Sequence, residues 1–243
     1  MDALSVFSNP HRFMAASKPF AWGFTILGLL VVAWGVYQGL YIAPADFKQG
    51  DAAKIMFVHV PASWLALFIY AFMASASFIS LVWRSPLADI CAKSCAPIGA
   101  AFTALCLATG SIWGKPMWGT WWEWDARITS VLILLFIYLG YMAIWAAMET
   151  QQKASRAAAI LCLVGAVNLP IIHFSVDWWN TLHQTSTFLT DKPAATSEYR
   201  WPMYFTFLGG YLALFGGLTL LNMRAEVFLR RAELIIQRRQ SAA

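Results

Sequence analysis

Residues 94–148 read SCAPIGAAFTALCLATGSIWGKPMWGTWWEWDARITSVLILLFIYLGYMAIWAAM. Two runs without Asp, Glu, Lys or Arg, 94–114 and 128–148, flank a segment, Trp113–Arg127, that holds five of the chain's thirteen Trp. A spanning helix needs about 20 apolar residues. Each run therefore reads as a membrane span, and the Trp-rich segment as the connection between them. Trp is costly to expose, so this density covers something flat and apolar or sits at a membrane surface.

The same pattern extends outward. Further charge-free windows lie between Lys18 and Asp46 and at 55–83, 157–176 and 201–223. The chain is 60% hydrophobic and 12% charged, with mean hydropathy +0.59, whereas a soluble domain carries roughly 25% charged residues. Continuous apolar runs exclude a barrel, and only helices otherwise satisfy their own backbone in hydrocarbon. The fold expected is an all-α integral membrane protein, one membrane domain over 1–243, built as a six-transmembrane-helix bundle. Its spans are expected at about 21–43, 58–83, 94–113, 128–148, 157–176 and 201–223. The first apolar run is too long for a cleaved signal and lacks a small-residue cleavage site. Pro116 reads as a break after the third span. Trp118, Trp121, Trp122 and Asp125 follow at helical spacing and predict a short Trp-rich interfacial helix. The stretch 177–202 has loop composition toward its end.

Lys and Arg set the orientation. The N-terminal tail, 84–93, 149–156 and the C-terminal tail hold 11 Lys/Arg and 5 Asp/Glu, and the other three connections hold 6 and 7, which sum to the chain's 17 and 12. The termini are expected in the cytoplasm, and 43–57, 113–127 and 177–200 on the opposite side, the periplasm of a Gram-negative host. The basic tail 224–243 carries Arg224, Arg230, Arg231, Arg238 and Arg239 among apolar residues. It reads as a continuation of the last helix along an anionic inner surface. Neither a nucleic-acid motif nor a phosphate-binding Gly-rich loop accompanies it. No Cys-x-x-Cys-His occurs, so Cys91, Cys95, Cys106 and Cys162 read as small buried hydrophobes.

Three of the four histidines, His59, His173 and His183, map to the outer side with the Trp cluster; His11 stands apart. A lone interfacial His is more often a hydrogen-bonded residue than a ligand. Three of them beside a Trp cluster suit a heme, since imidazole is a good iron ligand. Trp113, Trp118, Trp121, Trp122 and Trp124 would supply a wall, which Trp178 and Trp179 could extend. Lys54, Lys115, Arg127 and Arg200 are candidate partners for the propionates, Arg being better matched to a carboxylate. An aromatic belt is the alternative for the Trp cluster. Belts spread over several helix ends, however, and Trp64, Trp83, Trp145 and Trp201 can serve there. Asp125 and Arg127 are also candidates for an ion pair that fixes the start of the fourth span.

WGTWWEWDAR resembles the tryptophan-rich "WWD" signature of heme-handling membrane proteins. With APADFKQGDAAKI, HVPAS, APIGAAFT, TGSIWGKPMWGTWWEWDARITS and VNLPIIHFSVDWWNTLHQ, nearly the whole chain is similar to the cytochrome c maturation protein C, or heme exporter protein C, family. The resemblance implies heme b (iron protoporphyrin IX) at the periplasmic face of the inner membrane, on the Trp signature, Asp125 included, with axial ligands at the positions of His59 and His183. His173 is disfavoured because it is expected to point into the bundle. The resemblance further implies transfer to a periplasmic heme chaperone, the E-type maturation protein. It places the chain with A and B subunits of an ABC transporter and a small single-span D protein, as a delivery protein and not an enzyme. Two readings compete: a cytochrome b-like electron-transfer subunit, which expects His pairs stacked inside helices, and a cofactor-free permease subunit.

Overall fold

The computed structural model describes residues 9–179, 181–183 and 197–241. Readings that fall on 1–8, 180, 184–196 and 242–243 lie outside these residues. Regular structure is helical: α1 (Pro10–Tyr37), α2 (Met56–Trp83), α3 (Pro86–Trp118), α4 (Ala126–Ala147), α5 (Gln151–Gly165), α6 (Asn168–Trp178), α7 (Ser197–Phe205) and α8 (Leu212–Ser241). α1 runs on into a π-turn at Gln38–Ile42. A 3-10 turn at Asp51–Ile55 leads into α2, and a π-turn at Thr206–Tyr211 joins α7 to α8. α5 with α6, and α7 with α8, each make one crossing, so six helical segments are long and apolar enough to cross a membrane. The chain is a multi-pass membrane protein.

The helices overrun the charge-free windows, because loss of charge marks the hydrocarbon while caps mark the helix. Asn9 accepts from His11 N at the start of α1, and Ser85 accepts from Ala88 N at the start of α3. Pro at the first position completes both starts. The expected 84–93 loop thereby shrinks to Arg84 and Ser85, with Arg84 in the left-handed region at φ 50°. The 149–156 loop likewise shortens, since α5 begins at Gln151. α8 continues through the basic tail, as expected.

Two expectations about the other end are corrected. The short Trp-rich interfacial helix does not form: α3 passes through Pro116 to Trp118, and 119–125 are irregular. Pro116 sits in the last turn, where it removes a single backbone bond. Gly119, at φ 78°, then terminates the helix by donating its N–H to the Lys115 carbonyl. Residues 197–202, expected as loop, lie in α7.

Inside the bundle several buried polar groups are bonded across helices, which satisfies them within hydrocarbon. The buried Tyr138 hydroxyl on α4 donates to the Ala66 carbonyl of α2 at 3.0 Å. The Tyr70 hydroxyl donates to Cys162 O of α5 at 2.9 Å. Gly99 and Gly165 leave room for these rings, since a Cβ at either would lie 2.2 Å from a tyrosine atom. Asn168 bonds the Ser130 carbonyl at 2.8 Å and fixes the break between α5 and α6 to α4.

Charged side chains collect at the basic end. Arg230 on α8 bonds Asp89 on α3 at 3.0 Å and Glu226 at 2.7 Å, and Lys93 joins Glu226 at 2.8 Å. Ser155 of α5 donates to Asp89, and Arg224 reaches the Met14 carbonyl of α1. The opposite, histidine end is closed by aromatic contacts: Tyr199 bonds the Pro44 carbonyl and packs on Phe57.

α1 packs mainly on α8 through glycines. A Cβ at Gly28 would lie 2.4 Å from Leu214 N, and one at Gly217 would lie 2.4 Å from Thr25 N, whereas Gly23 faces open space. Gly28→Ala and Gly217→Ala should each destabilise the chain by about 1–3 kcal/mol through overpacking. Gly23→Ala should be neutral or better. Thermal melts in detergent check this, and equal midpoints for all three variants would refute the packing assignment.

Candidate functional site

The first turns of α2, the last turns of α3, the start of α4 and the segment after α6 meet at the histidine end. His59 lies one turn into α2, which begins at Met56 and tolerates Pro61 in its early turns. Its Nδ1 lies 3.0 Å from Thr109 Oγ1 on α3. The Thr109 hydroxyl already donates to the Leu105 carbonyl at 2.7 Å. It therefore accepts from His59 Nδ1–H, and the lone pair of the neutral imidazole falls on Nε2. The ring meets Trp113 edge-on with centroids 5.7 Å apart. Trp113 in turn donates from Nε1 to Gln49 at 3.1 Å, tying the first connection to α3. Gly110 leaves the ring its place: a Cβ there would stand 3.0 Å from His59 Cε1.

His183 reaches the same corner from the segment beyond α6. Its Nδ1 is 2.8 Å from Asp125 Oδ2, and its ring meets Trp118 with centroids 4.9 Å apart. Asp125 Oδ1 accepts from Ile128 N at 2.8 Å, so the same carboxylate caps α4. It is 8% exposed. A carboxylate only accepts, so His183 donates from Nδ1 and again presents Nε2. Burial lowers the His183 pKa from its ordinary value, and the Asp125 hydrogen bond opposes this without overcoming it. The imidazole is therefore neutral at pH 7, the form that ligates a metal.

The remaining residues divide. Trp122 packs against Trp124, with centroids 5.4 Å apart and planes at 73°. Trp121 and Trp124 are exposed, as are Trp178 and Trp179 at the end of α6. Trp122 and Trp124 thus meet edge to face, as do Trp178 and Trp179, whose planes lie at 72°. Arg127 does not pair with Asp125; it donates to Ser175 Oγ at 3.3 Å and to the His173 carbonyl at 3.2 Å. Lys54 pairs with Asp51 at 2.8 Å, and Lys115 caps α3 through the Gly119 carbonyl at 3.0 Å. His173 does not point into the bundle: it is exposed beside Phe174, on a shallow apolar groove with Leu67 and Phe68. The residues around Pro170 turn that face of α6 outward. Among the described residues, Arg200 Nε and Trp122 Nε1 are buried donors with no hydrogen-bond partner.

The family model for heme exporter protein C matches residues 3–238. The chain belongs to the heme exporter protein C family. A heme exporter protein C of Bradyrhizobium diazoefficiens is 50% identical over 224 residues, covering 92% of this chain and 85% of its own. That of Escherichia coli (strain K12) is 49% identical over 237 residues, 94% and 95% of the two chains. That of Paracoccus denitrificans is 40% identical over 245 residues, 97% and 98%. The likeness therefore spans both ends of the bundle and all the residues described above.

Thr109, Gln49 and Ser175 were not among the residues singled out from the sequence. Each is an ordinary polar residue in or beside an apolar run, and only the fold shows what it bonds. Since a lowered pKa makes protonation of His183 costlier in the folded chain, its neutral form should persist as pH falls through the ordinary imidazole range near 6.5. Its contribution to stability is complete above that range and lost below it. Removing the acceptor in Asp125→Ala should depress the His183 pKa further. The pH profile of imidazole acylation checks both statements; a His183 profile that matches free histidine and ignores Asp125→Ala would contradict them.

Proposed function

We propose that this chain binds heme at the histidine end of the bundle and hands it to a periplasmic heme chaperone for c-type cytochrome biogenesis. The observation that carries the reading is the pair of imidazoles, His59 and His183. Each is fixed through Nδ1, each rests on a Trp of the last turns of α3, and each presents Nε2. Trp113 and Trp118 belong to the same end of α3, which places both imidazoles at that end. Neutral imidazoles held in this way are the donor set a porphyrin iron takes in its two axial positions. Relatives that carry the printed name heme exporter protein C support the choice of cargo.

The protein residues would divide the work. His59 and His183 hold the iron. Trp113, Trp118 and Trp122 line the place of the ring. Trp121 and Trp124, with Trp178 and Trp179, stand exposed where a partner can meet the loaded site. Propionates need buried donors, and Arg200 Nε and Trp122 Nε1 are unpaired among the described residues, whereas Lys54, Lys115 and Arg127 are committed elsewhere. Arg200 is thus the leading propionate partner. On this reading the histidine end faces the periplasm and the basic end the cytoplasm, in keeping with the distribution of Lys and Arg. The A and B subunits of an ABC transporter and a single-span D protein would assemble around the bundle. The chain delivers cargo and catalyses no reaction of its own.

Purified in detergent with heme supplied, the chain should show the bands of a six-coordinate, bis-imidazole iron. His59→Ala and His183→Ala should each abolish those bands, while His11→Ala, remote from the site, and His173→Ala should retain them. A colourless wild-type chain, or unchanged spectra in both site variants, would overturn the assignment.

A further inference from the structure

The two imidazoles differ in what lies behind them. His183 donates to a buried carboxylate at 2.8 Å, and His59 donates to a neutral hydroxyl at 3.0 Å. A hydrogen bond to an ionised acceptor is roughly twice as strong as one between neutral groups. It also pushes electron density through the ring to the opposite nitrogen, raising its basicity as a ligand. The Thr109 hydroxyl cannot do the same, since its own proton is spent on the Leu105 carbonyl and it carries no charge. The carboxylate is in turn held by the first turn of α4, through Ile128 N. It cannot swing away from His183 without uncapping that helix.

Building on the bis-histidine reading above, we propose that Asp125 and Thr109 are positioning residues that make the two axial bonds unequal, so that His183 keeps the iron and His59 is the ligand that yields when heme leaves. The arrangement reconciles two needs of a carrier. One strong bond prevents loss into the membrane, and one weak bond gives an incoming partner a coordination position to take. It also assigns the mobile step to the imidazole and not to the helix. His59 sits in a continuous helix against Gly110, so a rotation of its side chain suffices.

The test uses the full chain loaded with heme, in wild-type form and as Asp125→Asn, Asp125→Glu and Thr109→Ala. Asn is itself a good helix cap, so Asp125→Asn removes the charge and keeps the cap of α4 through its one oxygen, while its amide nitrogen is a donor and leaves His183 Nδ1–H without an acceptor. It should raise the heme reduction potential, because a weaker donor stabilises the ferric iron less. It should also speed heme loss to excess apomyoglobin by about 10-fold or more. Asp125→Glu should restore both, and Thr109→Ala should move the potential less than Asp125→Asn does. Carbon monoxide then reports which bond is weaker, since it replaces that ligand on the ferrous iron. The wild-type Fe–CO stretch should match that of His59→Ala, in which His183 remains opposite, and should move in Asp125→Asn. A wild-type stretch that matches His183→Ala, or a potential that ignores Asp125→Asn, would overturn the proposal while leaving bis-histidine binding intact. Wild-type protein without heme bands would remove both readings at once.

Discussion

The carboxylate of Asp125 joins the start of α4 to His183 in the segment beyond α6. One oxygen starts α4 by accepting from Ile128 N, and the other fixes the imidazole of His183. The group is almost fully buried, and an unpaired charge there would be costly. Its two hydrogen bonds are therefore a condition of the fold as well as of the site. A change that frees His183 also uncaps α4, and a change that moves α4 drags the ligand. This coupling explains how His183, in the segment beyond α6, is held in place.

The bilayer constrains everything between the two ends. Polar groups within the spans are few, and several of them, Tyr70, Tyr138, Thr103 and Ser130, bond backbone carbonyls of neighbouring helices or of their own preceding turn. Ionised groups gather at the basic end, in the cluster of Asp89, Lys93, Glu226 and Arg230, or at the rim of the histidine end. α3 is the one element that serves both. It begins with Asp89 and Lys93 in the ionic cluster and ends with Trp113 and Trp118 under the two imidazoles. A single helix of 33 residues thus runs from the charges of one end to the imidazoles of the other.

The six crossings were legible because hydrocarbon excludes charge, and charge is visible in a sequence. Their ends were less so. Asn9, Ser85 and Asp125 start helices by capping, and a helix capped at Ser85 carries both Asp89 and Lys93 within it. The Trp-rich interfacial helix was misread for a related reason. Trp118, Trp121, Trp122 and Asp125 have helical spacing, but Gly119 adopts a left-handed conformation that ends α3 before the pattern can be used. His59 and His183 could be picked out by type and by resemblance. What orients them could not, since Thr109 is separated from His59 by 50 residues and Asp125 from His183 by 58. His173 shows the converse. Its position in the sequence suggested the interior, yet the break at the start of α6 turns it outward.

A resident cytochrome profits from two equally strong axial bonds, because its iron should never leave. A carrier has the opposite requirement, and the surroundings of this site suit it. The imidazoles rest edge-on against Trp113 and Trp118 instead of being enclosed by them. The neighbouring Trp121 and Trp124 are exposed and ready for another surface. The groups that hold position, Asp125 and the helix start it caps, are the buried ones. Asp125 and the helix start it caps stand behind His183, and Trp113 at the end of α3 stands beside His59. That combination follows from placing these groups where three helix ends meet.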